Sequence, residues 1–293
     1  MSSSELILNP DGSVYHLHVK KENLSPVIFL VGDPDRVLKV ARKLDSIEFE
    51  TRKREFVSVT GYYQNQLISV VSSGIGTDNI DIVINEIDAA FNVDPQTGLP
   101  VENPTQLTFI RLGTCGCVQP EIPVHSMIFS EFAIALEGLP FFYKDSVKLN
   151  QDSLQIAFAD FLLQHYDAVP VVPMAFQANA PATSPNWESK FQVFRGITAT
   201  ACGFYAPQGR SLGRTPLQFP GLQDKLSAFL WENHKVLNFE METSAIFMLG
   251  NLLGHKTASL SVVLANRARN EFSEKPEQAI ERLIEAGLEW ISR

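Results

Sequence analysis

Val27-Ile28-Phe29-Leu30-Val31 runs directly into Gly32-Asp33-Pro34-Asp35-Arg36. Five apolar residues without polar alternation read as a strand covered on both faces. Asp33 is a good N-cap and Pro34 suits the first helical position, so a helix is predicted from there to about Leu44. A buried strand that passes through a glycine turn into a helix is the repeating unit of an α/β protein.

The alternation continues outward from that stretch. Segments 47–60 and 66–72 are strand-like, and 61–65 between them reads as a hairpin connection. Ser72-Ser73-Gly74-Ile75-Gly76-Thr77-Asp78-Asn79 leads into a predicted helix over about 79–91. Residues 92–106 hold three prolines and read as a long loop before the next buried strand at 107–112. Further strands are expected near 126–133, 169–175, 196–202, 235–239 and 257–264, and helices near 152–165, 221–233, 241–254 and 275–292. A second loop is expected at 179–189. No internal repeat or linker interrupts the chain, so one α/β domain over 1–293 is expected, with a mixed or parallel sheet.

Composition narrows the function. The chain of 293 residues carries a net charge of −9 and no long basic tract, which argues against coating nucleic acid. A few local arginines can still reverse that field inside one cleft. Of three cysteines, Cys115 and Cys117 lack a second ligand pair at zinc spacing and read as small buried hydrophobes. The first residues show no basic-then-apolar signal pattern, and apolar runs of about half a dozen residues are too short for a membrane span. A cytoplasmic protein with no metal is the expectation.

Three strand ends terminate in glycine turns: Gly32 to Arg36, Gly74-Ile-Gly76 and Gly113-Thr-Cys-Gly116. Such turns let backbone N–H groups approach a phosphate, and helix N-termini favour an anion there. Gly74-x-Gly76 lacks the third glycine of a dinucleotide turn, which speaks against a dehydrogenase. Arg111 interrupts an apolar strand, where a cation needs a counter-anion, either a carboxylate or a bound phosphate. Arg36, in the first turn of its helix, needs either a salt bridge or an anion at the helix end. Glu240-Met241-Glu242 flanks a methionine with carboxylates at a strand-to-helix junction; they are dipole partners or acceptors for vicinal sugar hydroxyls. Phe204-Tyr205-Ala-Pro-Gln208-Gly-Arg210 is an exposed polar loop or a reader of a heterocycle.

Collected in order, Gly32-Asp-Pro-Asp-Arg36, Arg54-Glu-Phe56, Ser73-Gly-Ile-Gly76, Arg111-Leu-Gly-Thr114, Phe204-Tyr205 with Gln208 and Arg210, Glu240-Met-Glu242 and Asn266-Arg267 make the chain resemble the nucleoside phosphorylase-I family, and within it the members that cleave uridine. The resemblance implies a single domain around a mixed, barrel-like central sheet flanked by helices, in place of a simple doubly wound sheet. It implies phosphorolysis of uridine to uracil and ribose 1-phosphate, with phosphate as co-substrate and no cofactor or covalent enzyme intermediate. By that likeness Gly32, Arg36, Arg54, Arg111 and Thr114 hold phosphate, and His16, Met241 and Glu242 hold ribose. Phe204, Gln208 and Arg210 bind the base, with Arg36, Arg111 and Arg210 assisting catalysis. His16 and Arg54 would reach a neighbouring copy, which implies a homo-oligomer, at least a dimer and up to a hexamer.

Asn266-Arg267 stands where purine-specific relatives carry an aspartate, which favours pyrimidines; a broader base range, purines included, and a non-catalytic nucleoside-binding subunit are the alternatives. Related enzymes hold an interfacial monovalent cation with a glutamate matching Glu55 and a serine where this chain has Asn79, a departure that argues against the ion here. Residues 94–106 read as a surface insertion. An Arg111→Ala change is expected to abolish turnover and leave the fold intact.

Overall fold

A computed structural model describes residues 5–169, 171–181 and 190–292. Its elements are β1 (Val27–Val31), α1 (Pro34–Ala41), β2 (Ser46–Lys53), β3 (Phe56–Tyr63), β4 (Gln66–Ser72), α2 (Thr77–Asn92), β5 (Thr108–Cys117) and β6 (Met127–Leu136). There follow α3 (Asp152–Leu163), β7 (Met174–Gln177), β8 (Val193–Ala201), α4 (Leu222–Ala228), β9 (Leu230–Trp231) and β10 (His234–Glu240). The chain ends with α5 (Thr243–Leu252), β11 (Lys256–Asn266), β12 (Glu271–Phe272) and α6 (Pro276–Ile291).

β1 lies between β4 and β5, parallel to both, and Ile28 to Val31 are fully buried as an all-apolar strand requires. Asp33 caps α1 by accepting the Asp35 N–H through Oδ1 at 2.9 Å. From β5 the sheet goes two ways. In one direction β1, β4, β3 and β2 form an open arm. In the other, β10, β8, β6 and β11 return to pair with β5 again, closing a five-stranded mixed barrel. The barrel supersedes the doubly wound picture that local alternation suggests, since closure depends on β5 pairing with β11 across the chain.

One edge of β5 serves both arms. Thr108 to Arg111 pair with β1, whereas Gly116 and Cys117 pair with β10. Between these two pairings the neighbouring strands diverge, and a crevice opens beside residues 112–115. Such a parting of strands is where α/β sheets bind ligands. Apolar layers seal the sheet on either side: Val37, Leu260 and Leu283 belong to one cluster, and Ile84, Phe109 and Phe247 to another.

Some boundaries differ from expectation. Segment 47–60 is broken by a turn at Arg54, whose φ is 56°, and Gly61 sits inside β3. A Cβ on Gly61 would lie 2.1 Å from the Ser46 carbonyl oxygen, so this glycine permits close strand approach and makes no turn. The hairpin turn is Gln64-Asn65, with φ of 48° and 64°. The helix expected over 221–233 stops at Ala228, because Phe229 turns extended and packs edge-on against Phe158 and Phe161. The strand expected at 169–175 is β7, beginning after Pro173; Pro170 and residues 182–189 of the expected loop lie outside the described residues, as do Met1 to Ser4. Residues 94–106 are a loop, held by hydrogen bonds between Asn92 and Thr105. Among the described residues no helix is long and apolar enough to cross a membrane.

Candidate active site

The crevice is a cavity of about 500 Å³. Gly32, Arg36, Arg111 and Thr114 line one end; Phe204, Gln208, Arg210 and Arg267 line the cavity too, as do Met241 and Glu242. Nine of the residues expected at a site therefore share one cavity, although they come from four separate stretches of chain.

Arg36 is buried to 6% exposure, and among the described residues its side chain makes a single hydrogen bond, from Nη1 to the Leu112 carbonyl at 3.0 Å. Leu112 pairs with Leu260 of β11 on one edge of β5 and lies on the other edge where β1 has left and β10 has not yet joined. The Arg36 Nε has no partner, and no described carboxylate approaches within ion-pairing distance. Burial, then repulsion from Arg111, lowers its pKa. A buried cation in this state is costly until an anion joins it.

Arg111 is balanced by the protein itself, so of the two counter-anions open from sequence the structure supplies the carboxylate. Its Nη2 meets Glu242 Oε2 at 2.6 Å and Glu240 Oε2 at 3.3 Å, and its Nη1 donates to Ser261 Oγ at 2.8 Å. Burial works against the charge, but the two carboxylates outweigh it and hold the guanidinium above its ordinary pKa. Glu240 faces inward: Oε1 accepts the Thr200 hydroxyl at 2.6 Å, and Oε2 accepts the Glu242 and Thr243 N–H groups at 2.9 Å. Burial pushes the Glu240 carboxyl up and Arg111 opposes it. Glu242 Oε1 accepts the Gly76 N–H at 2.9 Å, which joins the glycine turn before α2 to the turn before α5. The Glu240 and Glu242 carboxylates are thus far more than dipole partners.

The aromatic end is cationic. The Arg210 guanidinium lies 4.2 Å from the Phe204 ring centroid, and that of Arg267 lies 5.0 Å from Phe239. Arg267 donates to the Gln208 carbonyl at 2.7 Å and to its side-chain Oε1. This fixes the amide orientation and turns Nε2 away from the guanidinium. Burial, then Arg210, pushes Arg267 down to about 10. The Nε atoms of both arginines are buried without partners.

His16 and Arg54 do not line this cavity. They flank one another across Tyr15, whose ring lies 4.9 Å from His16 and 5.9 Å from the Arg54 guanidinium. Glu86 on α2 fixes that corner, with Oε1 2.6 Å from His16 Nδ1 and its oxygens accepting the His16 and Leu17 N–H groups. Near Gly74, Glu55 is joined by Asn79, whose Nδ2 donates to the Ile75 carbonyl at 3.3 Å. Among the described residues no three His, Cys, Asp or Glu side chains gather at metal-binding distance.

Sequence reading gave Arg267 no role. Its signal was Gly116: a Cβ there would come within 2.9 Å of the Arg267 Nε, so the missing side chain is what admits the guanidinium. Phe272, at the cavity wall, was likewise unmarked, and Ile75, though part of the Gly74-Ile-Gly76 motif, was given no role.

A family model for the phosphorylase superfamily matches residues 26–292. The uridine phosphorylase of Thermococcus kodakarensis is 29% identical over 94% of this chain and 86% of its own length. That of Haemophilus influenzae is 28% identical over 88% of each chain. A solved Trypanosoma brucei nucleoside phosphorylase, described as showing uridine phosphorylase activity, shares 28% identity and superposes with a TM-score of 0.86 over 98% of this chain and 99% of that one.

Proposed function

The chain belongs to the phosphorylase superfamily, and from that premise we propose that its cleft carries out the phosphorolysis of uridine and related pyrimidine nucleosides. A phosphate oxygen forms the new bond to C1′ as the C1′–N1 bond breaks, and that electron pair leaves with uracil. Positive charge builds on the sugar and negative charge on the base. Gly32, Arg36, Arg111 and Thr114 hold the phosphate beneath C1′, where position and fixed charge supply most of the acceleration. Met241 and Glu242 hold the ribose. Because Glu242 also binds Arg111, the carboxylate that accepts the sugar hydroxyls is tied to the arginine that holds the nucleophile.

Phe204 packs on the base, Gln208 Nε2 donates to a base carbonyl, and Arg210 stabilises the oxygen on which the departing charge gathers. Arg267 adds a second cation to that end. His16 and Arg54 serve the 5′-hydroxyl and phosphate of a neighbouring copy, so the working unit is at least a dimer. Phosphate is a co-substrate and no cofactor enters. Three unpaired cysteines suit a reducing, cytoplasmic setting.

The observation that carries this reading is Arg36, a buried cation at the mouth of a glycine turn that no carboxylate among the described residues reaches within ion-pairing distance. Uracil release from uridine, followed with and without inorganic phosphate, tests it. One ribose 1-phosphate per uracil and no release without phosphate is the expected outcome. Release of free ribose at the same rate without phosphate would overturn it.

A further inference from the structure

Glu137 follows the last residue of β6 and is only 3% exposed, yet no Lys, Arg or His figures among the groups acting on it. Its Oε2 accepts the Leu139 N–H at 2.6 Å, and its Oε1 accepts the Ser244 hydroxyl at 3.2 Å. The Thr77 hydroxyl is a further hydrogen-bonding neighbour. Thr77 is the first residue of α2 and Ser244 the second of α5, so one carboxylate accepts a hydroxyl at the start of α5 and has another beside it at the start of α2. Both helix dipoles favour negative charge there, although burial still raises the Glu137 pKa.

Those two helix starts also frame Glu242. Gly76, just before Thr77, donates its N–H to Glu242 Oε1, and Glu242 is the N-cap residue of α5. On the far side, the Ser244 N–H donates to Thr200 Oγ1 at 3.0 Å, and Thr200 donates to Glu240. The spacing between α2 and α5 therefore decides where the Glu242 carboxylate stands relative to Arg111.

We propose that Glu137 is a positioning residue that ties the starts of α2 and α5 together and so sets the place of Glu242 in the cavity. Its consequence for turnover rests on the reading that Glu242 accepts the ribose hydroxyls. Glu137 touches neither sugar nor phosphate. It acts at one remove, through two hydroxyls and one backbone N–H.

The test compares uridine with 2′-deoxyuridine at saturating phosphate, in the wild type and in Glu137→Gln, Glu242→Gln and the double variant. Glu137→Gln is expected to lower kcat/KM for uridine by about tenfold, the scale of one buried hydrogen bond, with a smaller loss on 2′-deoxyuridine. In the Glu242→Gln background the same change is expected to cost almost nothing. Equal losses on both nucleosides, or an undiminished loss in that background, would overturn the assignment. If Glu137→Gln does not fold, Thr77→Val and Ser244→Ala each cut one tie and carry the same comparison. Amide exchange at Gly76 supplies a readout that needs no substrate: faster exchange in the tie variants supports the role, and unchanged exchange refutes it. A wild type that fails to cleave uridine while Gly76 exchange still responds refutes the functional reading alone.

Discussion

An arginine set into a buried strand must bring its counter-charge with it, and Arg111 brings two, Glu240 and Glu242. Removing it leaves both carboxylates buried without a cation. Breaking such a network by losing one partner costs roughly 3–5 kcal/mol. Arg111→Ala is therefore expected to lower the melting temperature sharply, in addition to reducing kcat/KM by about 10²–10³-fold through loss of a fixed charge at the reacting centre. The intact fold expected from sequence becomes an expected loss of stability, because Arg111 pairs with two buried carboxylates as well as lining the cavity. A thermal melt followed by circular dichroism, run beside the rate assay, checks both parts.

Arg267 acts differently. It is only in part enclosed, repelled by Arg210, and joined to Gln208 by two hydrogen bonds. Arg267→Met is expected to leave stability nearly unchanged, since it also relieves the Arg210 repulsion. It should free the Gln208 amide to rotate and cost about tenfold or more in kcat/KM for uridine, the worth of a hydrogen bond to a charged group. Competition between uridine and a purine nucleoside gives the sharper readout. A fixed amide favours one base edge and a free amide does not, so a falling ratio is the expected result and an unchanged ratio would remove Arg267 from base selection.

At the scale of elements, two glycines in strands make a controlled pair. A Cβ on Gly113 in β5 would fall 1.8 Å from Arg111 Nη1, whereas one on Gly61 in β3 would fall 2.1 Å from the Ser46 carbonyl oxygen. Gly113→Ala must displace a guanidinium, so it should reduce turnover by an order of magnitude or more, on the scale of the loss of one fixed charge. Gly61→Ala must part β3 from β2, so it should lower the melting point while the folded fraction keeps its kcat. The same pair shows what could be read from sequence. β1 and α1 were legible, because an unbroken apolar run and an Asp-Pro start are local signals. Gly61 was misread as a turn, because a glycine needed for close approach looks like any other until the facing strand is known. Barrel closure was illegible in any local pattern, since none announces that β5 pairs with β11, and the barrel-like sheet that the structure bears out was expected from the family resemblance alone. Most of the cavity was legible because its residues lie in glycine motifs and at strand-to-helix junctions, although the turn expected at Gly113 to Gly116 is strand, since pairing with β11 carries β5 on to Cys117. Arg267 was not, since its place depends on an absent side chain at Gly116.

At the scale of the whole molecule, His16 and Arg54 lie together across Tyr15 and do not line the cavity of their own chain. Fourteen residues after Val40, Arg54 follows β2, on the open arm of the sheet; the remaining cavity residues sit where that arm meets the barrel. If two copies exchange these corners about a two-fold axis, every cavity is built from two chains. Arg54→Ala and Arg210→Ala should then each be nearly inactive, because each spoils both cavities of its own dimer. Mixed and re-equilibrated in equal amounts, half of the dimers contain one copy of each. In such a dimer one cavity carries both defects and the other carries neither. Activity should return to roughly a quarter of the wild-type value, by the statistics of a closed two-fold dimer. Return of phosphate-dependent uracil release on mixing, with no such return for Arg36→Ala mixed with Arg210→Ala, would establish exchange between chains. If mixing restores nothing although the chains are shown to exchange, Arg54 serves its own chain or no site, and the dimer loses its catalytic meaning.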